Sequence, residues 1–504
     1  MRVAVVGGGI SGLAAAHRLR TLLPGASITV LEQRDRVGGV LHTVDLAGVP
    51  FDVGAEAFLA RRPEVPALLA ELGLDAAVHP TAASATVRAG GRTAPLPGGT
   101  LLGVPTSAAR LDALLSPAGL AAVAAEPSRP LTWDAGTDVA LGALLRDRFG
   151  DETADRLADP LLGGVYAGRV DTLGLRATIP ALARTLDEGA PSVTAAADRA
   201  TAPASRGVVA RESGQDRARV GVSLRASRGP AASGPNPARV DDTGPPTSPV
   251  PATGGPVFGA VRGGYRVLLD ALVAAARPRL RLGTTVRALE RRDDGWRLVL
   301  GPTTAPEALD VDAVVLAVPA PAAAKLLATV APDAARAAGE IELASSVVVA
   351  LAFRAGDVAG LPPTSGALVA AGEPLSVKGF THSSTKWAHL GADGLVRLRA
   401  SMGRFGEAAT LQVDDGELVA RVRADLATLT GLTADPVAVH VQRWGGGLPQ
   451  YGVGHLDRVA AVEGGLPDGL AVAGAAWHGV GVPACVATGR AAAQRIAAGV
   501  TAAT

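Results

Sequence analysis

The sequence predicts an α/β fold. A Rossmann-like nucleotide-binding domain should be joined to a discontinuous α+β substrate-binding region and a helical region. Three observations predict it. The chain opens on a short apolar strand, Val3 to Val6, that runs into glycines at Gly7, Gly9 and Gly12. An Ala/Leu-rich helical pattern follows to Leu23, and a second strand, Ile28 to Leu31, ends on Glu32. Further apolar strands and a last long helix appear hundreds of residues later, so the N-terminal unit must be completed by distant segments.

The first element is the most specific. Gly7-Gly8-Gly9-Ile10-Ser11-Gly12 fits G-x-G-x-x-G between a strand and a helix, with an acid twenty residues after the last glycine. Glycines let the backbone approach a pyrophosphate, the helix N-terminus favours its charge, and Glu32 can take ribose hydroxyls. The plainer alternative is a structural turn, which explains neither the helix nor the acid. A second glycine pair, Gly38-Gly39, follows in Glu32-Gln33-Arg34-Asp35-Arg36-Val37-Gly38-Gly39-Val40. Alone it would read as a hairpin turn.

Residues 61–190 read as mostly helical, with helical spacing over Pro66 to Leu74, Leu111 to Ala125 and Val139 to Leu157. Residues 191–254 hold no aromatic side chain, are dominated by Ala, Arg, Ser, Pro and Gly, and are expected to be a disordered insertion. Order returns with a helix at Tyr265 to Ala276. Strands follow at Arg281 to Leu289, Trp296 to Leu300, Ala313 to Val318 and Ser346 to Phe353. Gly469 to Gly489 reads as strand, turn and helix, and the helix Pro483 to Ala498 closes the chain. The expected nucleotide domain is 1–60, 255–325 and 437–504; the substrate-binding and helical region is 61–190 and 326–436.

Composition narrows the class. The 504 residues exceed one typical domain. A net charge of +1 gives no argument for nucleic acid. The single cysteine, Cys485, excludes an intrachain disulfide framework. His382, His389, His440 and His478 lack metal-ligand spacing, so no metal is expected. The N-terminus is a strand rather than a basic leader, which points to the cytoplasm. The longest uncharged stretch, Gly469 to Gly489, is broken by glycines and contains His478, so it is not read as a membrane span, and peripheral membrane contact stays open.

With these residues in view, the chain resembles a known group. Glu32 to Thr43 is similar to the E-x(n)-R-x-G-G motif of FAD-dependent amine oxidases, phytoene desaturases and porphyrinogen oxidases. Phe51-Asp52-Val53-Gly54-Ala55-Glu56 resembles their D-x-G loop. Three segments are closer to one branch. Gly164-Val165-Tyr166-Ala167-Gly168 with Leu173-Gly174-Leu175-Arg176-Ala177 resembles G-V-Y-A-G…L-S-x-R-A. Trp444…Pro449-Gln450-Tyr451…Gly454-His455 resembles W…P-Q-Y-x-x-G-H, and Gly479-Val480-Gly481-Val482-Pro483-Ala484-Cys485 resembles G-V-G-I-P-D-C. These are signatures of the oxygen-dependent coproporphyrinogen III / protoporphyrinogen oxidase family of haem biosynthesis. The resemblance covers all but residues 191–254. Alanine-, glycine- and arginine-rich composition suggests a high-GC, actinobacterial type.

The resemblance implies an amine-oxidase-like flavoprotein with FAD as cofactor. It places Gly7, Gly8, Gly9, Ile10, Ser11, Gly12 and Glu32 on the pyrophosphate and ribose, and Gln33, Gly39 and Val40 around the adenosine. Gly54, Ala55, Glu56 and Ala57 should approach the isoalloxazine. Val286 should meet the adenine by its backbone, and Trp444, Val480, Gly481 and Val482 should complete the site. Ala484 departs from the family's acid, Gly174 from its serine and Ala55-Glu56 from the common loop variants.

The implied reaction is a six-electron oxidation of a porphyrinogen, with O2 as acceptor and hydrogen peroxide as product. Ferrochelatase, the next haem-pathway enzyme, is an implied partner. Coproporphyrinogen III is the favoured substrate and protoporphyrinogen IX the alternative. A substrate with four carboxylates would want cations at the cavity rim. Arg169, Arg176 and Lys378 are candidates beside Gly164, though each could be a solvated surface charge. No catalytic base stands out. An amine or carotenoid oxidoreductase, or a non-catalytic flavin-binding protein, remains open on the fold alone.

Overall fold

The computed structural model describes residues 1–202 and 256–501. Its organising element is a five-stranded parallel sheet, in the order Arg279–Arg281, Ser27–Leu31, Arg2–Val6, Ala313–Leu316, Leu470–Val472. The four inner and far strands are largely apolar because both faces are covered, whereas the edge strand Arg279–Arg281 is part-exposed and charged. Val3, Val5, Val30 and Val315 pack on the helix Ile10–Leu22 and on Ala492, Ala493 and Ile496 of the helix Val482–Thr501. Ala4, Val6, Val314 and Leu316 pack on Trp296, Leu298 and Leu300 of an antiparallel three-stranded sheet, Val286–Arg292, Gly295–Leu300 and Glu307–Val311. The two helices touch closely: a Cβ built on Gly489 would stand 2.2 Å from the Ser11 carbonyl oxygen.

A seven-stranded sheet runs in the order Ala438–Pro449, Leu343–Arg354, Leu395–Met402, Val377–Thr381, Gly366–Val369, Ala85–Ala89, Arg92–Pro95. Its strands alternate. Val347, Val349, Leu351, Leu398 and Ala400 bury one face with Leu418, Val422 and Leu426 of the helix Asp415–Thr430. The other face looks toward the nucleotide sheet's loops, where Ala350 and Ala352 meet Phe51, Val53 and Trp387. Each fully buried Leu or Val in these layers contributes about 1.5–3 kcal/mol. Helices Leu141–Phe149, Asp159–Tyr166, Leu175–Thr178 and Pro180–Asp187 form a third cluster around Tyr166, Leu173 and Tyr451.

Several expectations need correction. Residues 61–190 are not mostly helical at their start. Ala85–Ala89 and Arg92–Pro95 form a hairpin turning on Gly90-Gly91, both at positive φ, a strong two-residue turn signal that the mostly helical reading passed over. The expected helix at 111–125 begins only at Pro117, capped by Ser116. The run at 139–157 breaks at Gly150, φ 85°. Gly283, φ 61°, splits the expected strand at 281–289 into Arg279–Arg281 and Val286–Arg292, which belong to different sheets. Ala438–Pro449 joins the seven-stranded sheet rather than the nucleotide sheet. The segment expected to lack order from 191 is helical over Val193–Thr201. The buried Glu126 carboxylate accepts from the Val193 and Thr194 amides, the favourable place for a negative charge at a helix start. The remainder of that expectation, from 203 to 254, lies outside the described residues.

Candidate active site

The two glycine clusters fold onto one another. Gly7 has φ 107°, and a Cβ there would stand 2.2 Å from the Ala317 carbonyl oxygen. A Cβ on Gly12 would stand 2.0 Å from the Gly7 carbonyl oxygen. Gly9 differs: a Cβ would meet nothing nearer than the Gly39 Cα at 3.9 Å, so its freedom faces open space. Gly9 caps the helix Ile10–Leu22 without any side-chain bond, leaving its first amides free. The second cluster is fixed by Gly38 donating its N–H to the Gly8 carbonyl at 2.8 Å. Arg36 spans the turn, donating to the carbonyls of Val37, Gly39 and Leu41.

Glu32 is buried and accepts from the Gly8 amide at 2.8 Å and the Arg34 amide at 2.9 Å, one on each oxygen. Each oxygen keeps a lone pair for a hydroxyl. Thr284 donates its N–H to the Glu32 carbonyl, which brings the start of the strand at Val286 beside it. Gln33 and Val40 are exposed nearby. A backbone cradle, an uncapped helix start and a half-used carboxylate are what a dinucleotide diphosphate requires, and these residues fit FAD.

The loop after the second cluster is clamped by side chains the sequence reading did not single out. Arg399 donates to the carbonyls of Asp52 (3.0 Å) and Gly54 (2.8 Å). Glu56 accepts from Ser383 Oγ at 2.8 Å and pairs with Lys386 at 3.2 Å. Burial opposes its charge, but Lys386, Arg399 and Ser383 outweigh burial and hold the carboxyl below its usual range. Asp52 goes the other way: burial pushes it up to about 7, against the Thr43 hydroxyl and the Tyr265 amide. A Cβ on Gly54 would stand 1.9 Å from the Val40 carbonyl oxygen, so this loop lies flush on the turn before it. Ala55 and Ala57 flank it, half-buried.

Trp444 closes the other side. Its indole N–H donates to the Val53 carbonyl at 3.0 Å, and Arg34 lies over its ring. The strand bulges at Gly445 to Gly447, where Gly446 has φ 59°, which re-aims the indole toward the loop. Val480 to Val482 lead into the C-terminal helix. Tyr451 pins them, accepting the Gly479 amide at 2.7 Å and donating to the Ala475 carbonyl at 2.6 Å. The starts of the first and last helices thus share one apolar cluster through Ile10, Val482 and Cys485. Ala484 is buried, with its Cβ 2.8 Å from where a Gly479 Cβ would stand, so a small residue suits the tight turn. Burial pushes the Cys485 thiol up to about 11.

The substrate candidates divide. Gly164 is exposed, on the helix Asp159–Tyr166 rather than in a loop. Arg176 is committed within the helical cluster, forked onto Asp187 at 2.7 and 2.8 Å and bonded to the Thr137 carbonyl. Arg169 is half-exposed and pairs with Glu407 at 3.1 Å. Lys378 is 6% exposed, on the strand Val377–Thr381. Gly174 packs against the Gly452 carbonyl and Asp138, which leaves a serine little room.

The flavin-containing amine oxidoreductase family model matches residues 10–497. The chain belongs to that family. It is 45% identical to the coproporphyrinogen III oxidase of Mycobacterium tuberculosis H37Rv over 97% of this chain and 95% of that protein. A solved structure from Exiguobacterium sp. 255-15, provisionally named a protoporphyrinogen oxidase, superposes with a TM-score of 0.78 at 28% identity, covering 99% and 98% of the two chains. Cyclohexylamine oxidase from Brevibacterium oxydans shares the fold at 15% identity, with a TM-score of 0.67 and 99% of each chain covered. The expected kinship with the porphyrinogen oxidase group, the amine-oxidase-like fold and FAD as cofactor are all borne out.

Proposed function

We propose that this chain is an oxygen-dependent coproporphyrinogen III oxidase that forms coproporphyrin III in haem biosynthesis. The observation that carries it is the 45% identity, over nearly the whole of both chains, to a coproporphyrinogen III oxidase. Six hydrogens leave the macrocycle and three O2 become three H2O2.

FAD, when bound, supplies the electron acceptor and the reaction with O2. The protein supplies position and exclusion of water. The free amides after Gly9 and the acceptor oxygens of Glu32 would hold the diphosphate and ribose. Val286 would meet the adenine by its backbone. Arg399, Ser383 and Lys386 lock the loop from Asp52 to Ala57, and Trp444 braces its carbonyl side. Val480 to Val482, leading into the last helix, would offer a second helix start that favours the negative charge of reduced flavin.

Protoporphyrinogen IX is the second reading, favoured by the name given to the Exiguobacterium relative. The described residues contain no helix long and apolar enough to cross a membrane. A cytoplasmic enzyme that hands its product to an iron-inserting partner fits this reading, and peripheral membrane contact is compatible with it. The test is aerobic porphyrin fluorescence against time with each porphyrinogen, corrected for autoxidation without enzyme. Faster turnover of coproporphyrinogen III is expected. Preference for protoporphyrinogen IX would move the step, and enhancement of neither would sink the reading.

A further inference from the structure

Buried lysines are rare unless paired, and Lys378 is an exception that needs a reason. Its ammonium makes no hydrogen bond or ion pair with any described residue, although the side chain is 6% exposed. It stands where the strand Val377–Thr381 slips register against Leu395–Met402. Its charged neighbours are Arg404, Glu407 and Arg399, so cations outnumber anions around it.

Arg404 is equally unusual. It is 7% exposed, and its Nη2 donates to the Val369 carbonyl at 2.8 Å. Its Nη1 has no hydrogen-bond partner; the nearest carboxylate oxygen, Asp159 Oδ2 at 3.7 Å, has none either. Space for the guanidinium comes from Gly163, where a Cβ would stand 2.7 Å from Nη1. Gly163 and Asp159 belong to the helix that bears Gly164, and that helix packs on the strand of Lys378. The neighbouring strand carries Arg399, whose guanidinium holds the flavin loop. Two buried, under-used cations therefore stand between the helix of the G-V-Y-A-G segment and the sheet face that continues to the flavin.

Resting on the porphyrinogen reading, we propose that Lys378 binds a propionate carboxylate of the substrate directly, and that Arg404, braced by Asp159 and the Val369 carbonyl, is the positioning residue that sets the positive field and the place of the ammonium. A lysine buried over most of its length without a counter-ion is costly; a carboxylate arriving with the substrate supplies the missing partner. Burial and the flanking Arg404 bring the Lys378 amine down to about 7, as expected of a cation awaiting its anion. Arg169 and Arg176 are already neutralised by Glu407 and Asp187, which leaves Lys378 as the receptor.

The test uses the full-length, FAD-loaded protein. Coproporphyrin III binding is read by tryptophan quenching, and coproporphyrinogen III turnover in parallel. Lys378→Met should weaken coproporphyrin III binding and raise KM about tenfold, the worth of one charge-assisted hydrogen bond. The kcat and flavin spectrum should stay near wild type, and Lys378→Arg should recover most of the binding. Arg404→Gln should raise KM less and flatten the pH dependence of binding. Unchanged binding and KM in flavin-loaded Lys378→Met would overturn the inference while leaving the enzyme reading intact. A wild-type protein that neither binds coproporphyrin III nor oxidises its porphyrinogen would instead overturn the reading beneath it. Should Lys378→Met not fold, Lys378→Gln decides on the same two measurements.

Discussion

The nucleotide-binding end and the substrate-facing sheet use opposite materials. Around Gly7 to Gly12 the working parts are backbone: glycines without Cβ atoms, free amides at a helix start, carbonyls fixed by Arg36. On the seven-stranded sheet the parts that grip the loop are side chains: Arg399 and Trp444, on strands far apart in sequence, with the proposed Lys378 on a third strand and Arg404 just past the end of the Arg399 strand. Backbone sites demand local sequence, because a turn and the helix after it are contiguous. Side-chain sites demand only that the fold bring strands together. Tolerance follows the same division. The first kind should fail on adding a single methyl group, the second on losing a single charge.

The largest effect is expected at Gly12. A Cβ there meets backbone at 2.0 Å, with no flexible side chain to yield. Gly12→Ala should cost on the order of 3 kcal/mol locally, or roughly 100-fold in FAD retention. The flavin-to-protein absorbance ratio after desalting reads it. Gly9→Ala sharpens the comparison, since its Cβ has space at 3.9 Å in the apo fold. The apo protein should melt as wild type or higher, while FAD affinity falls. Full FAD retention in Gly9→Ala would show that the diphosphate does not approach that backbone.

Next comes Arg399→Met, which tests the side-chain half. It leaves the Asp52 and Gly54 carbonyls without their donor and should cost about 2–4 kcal/mol. Denaturant unfolding of the apo form reads the structural part. A drop in kcat with FAD still bound reads loosening of the loop. Unaltered stability would mean that solvent replaces the guanidinium, and that the loop is held by Glu56 and its partners alone.

Legibility in the sequence followed the same line. The strand-glycine-helix-acid unit, the second glycine pair and the helix Tyr265–Ala276 could be read because each is local. Arg36 sat inside a motif already quoted and could have been found there. Arg397 and Arg399 alternate within an apolar strand, a period-two signal for two cations on one sheet face. Arg404 and Asp159 gave no such signal, because their meeting depends on Gly163 in a helix 241 positions away from the arginine. Arg176 misled for the complementary reason: Asp187, eleven residues on, looks unremarkable until two short helices bring the pair together.

Asp52 joins the two halves, and pH separates their contributions. Its folded pKa, about 7, lies above the ordinary carboxylate value of 3.8. Between those values the folded state holds a proton that the unfolded chain has lost. Its contribution to stability is therefore full below about 4 and is lost as pH rises through 7. Asp52→Asn should remove that slope, narrowing its stability difference from pH 5 to pH 8 relative to wild type. An unchanged slope in chemical denaturation would place the titration elsewhere.

The smallest effect is expected at Cys485, and it still discriminates. The thiol is buried in the cluster that joins the two helix starts, and burial holds it protonated, with its pKa near 11. A neutral, enclosed thiol is a poor nucleophile, so a covalent flavin tether at this position is not expected. Cys485→Ala removes one buried sulfur and should cost about 1 kcal/mol, with flavin content and turnover within about twofold, a shift of under 1 kcal/mol. Acid precipitation of the wild-type protein should release all of its flavin to the supernatant. Yellow colour left in the pellet would mean that covalent side-chain chemistry reaches into the half of the molecule that works mainly by backbone.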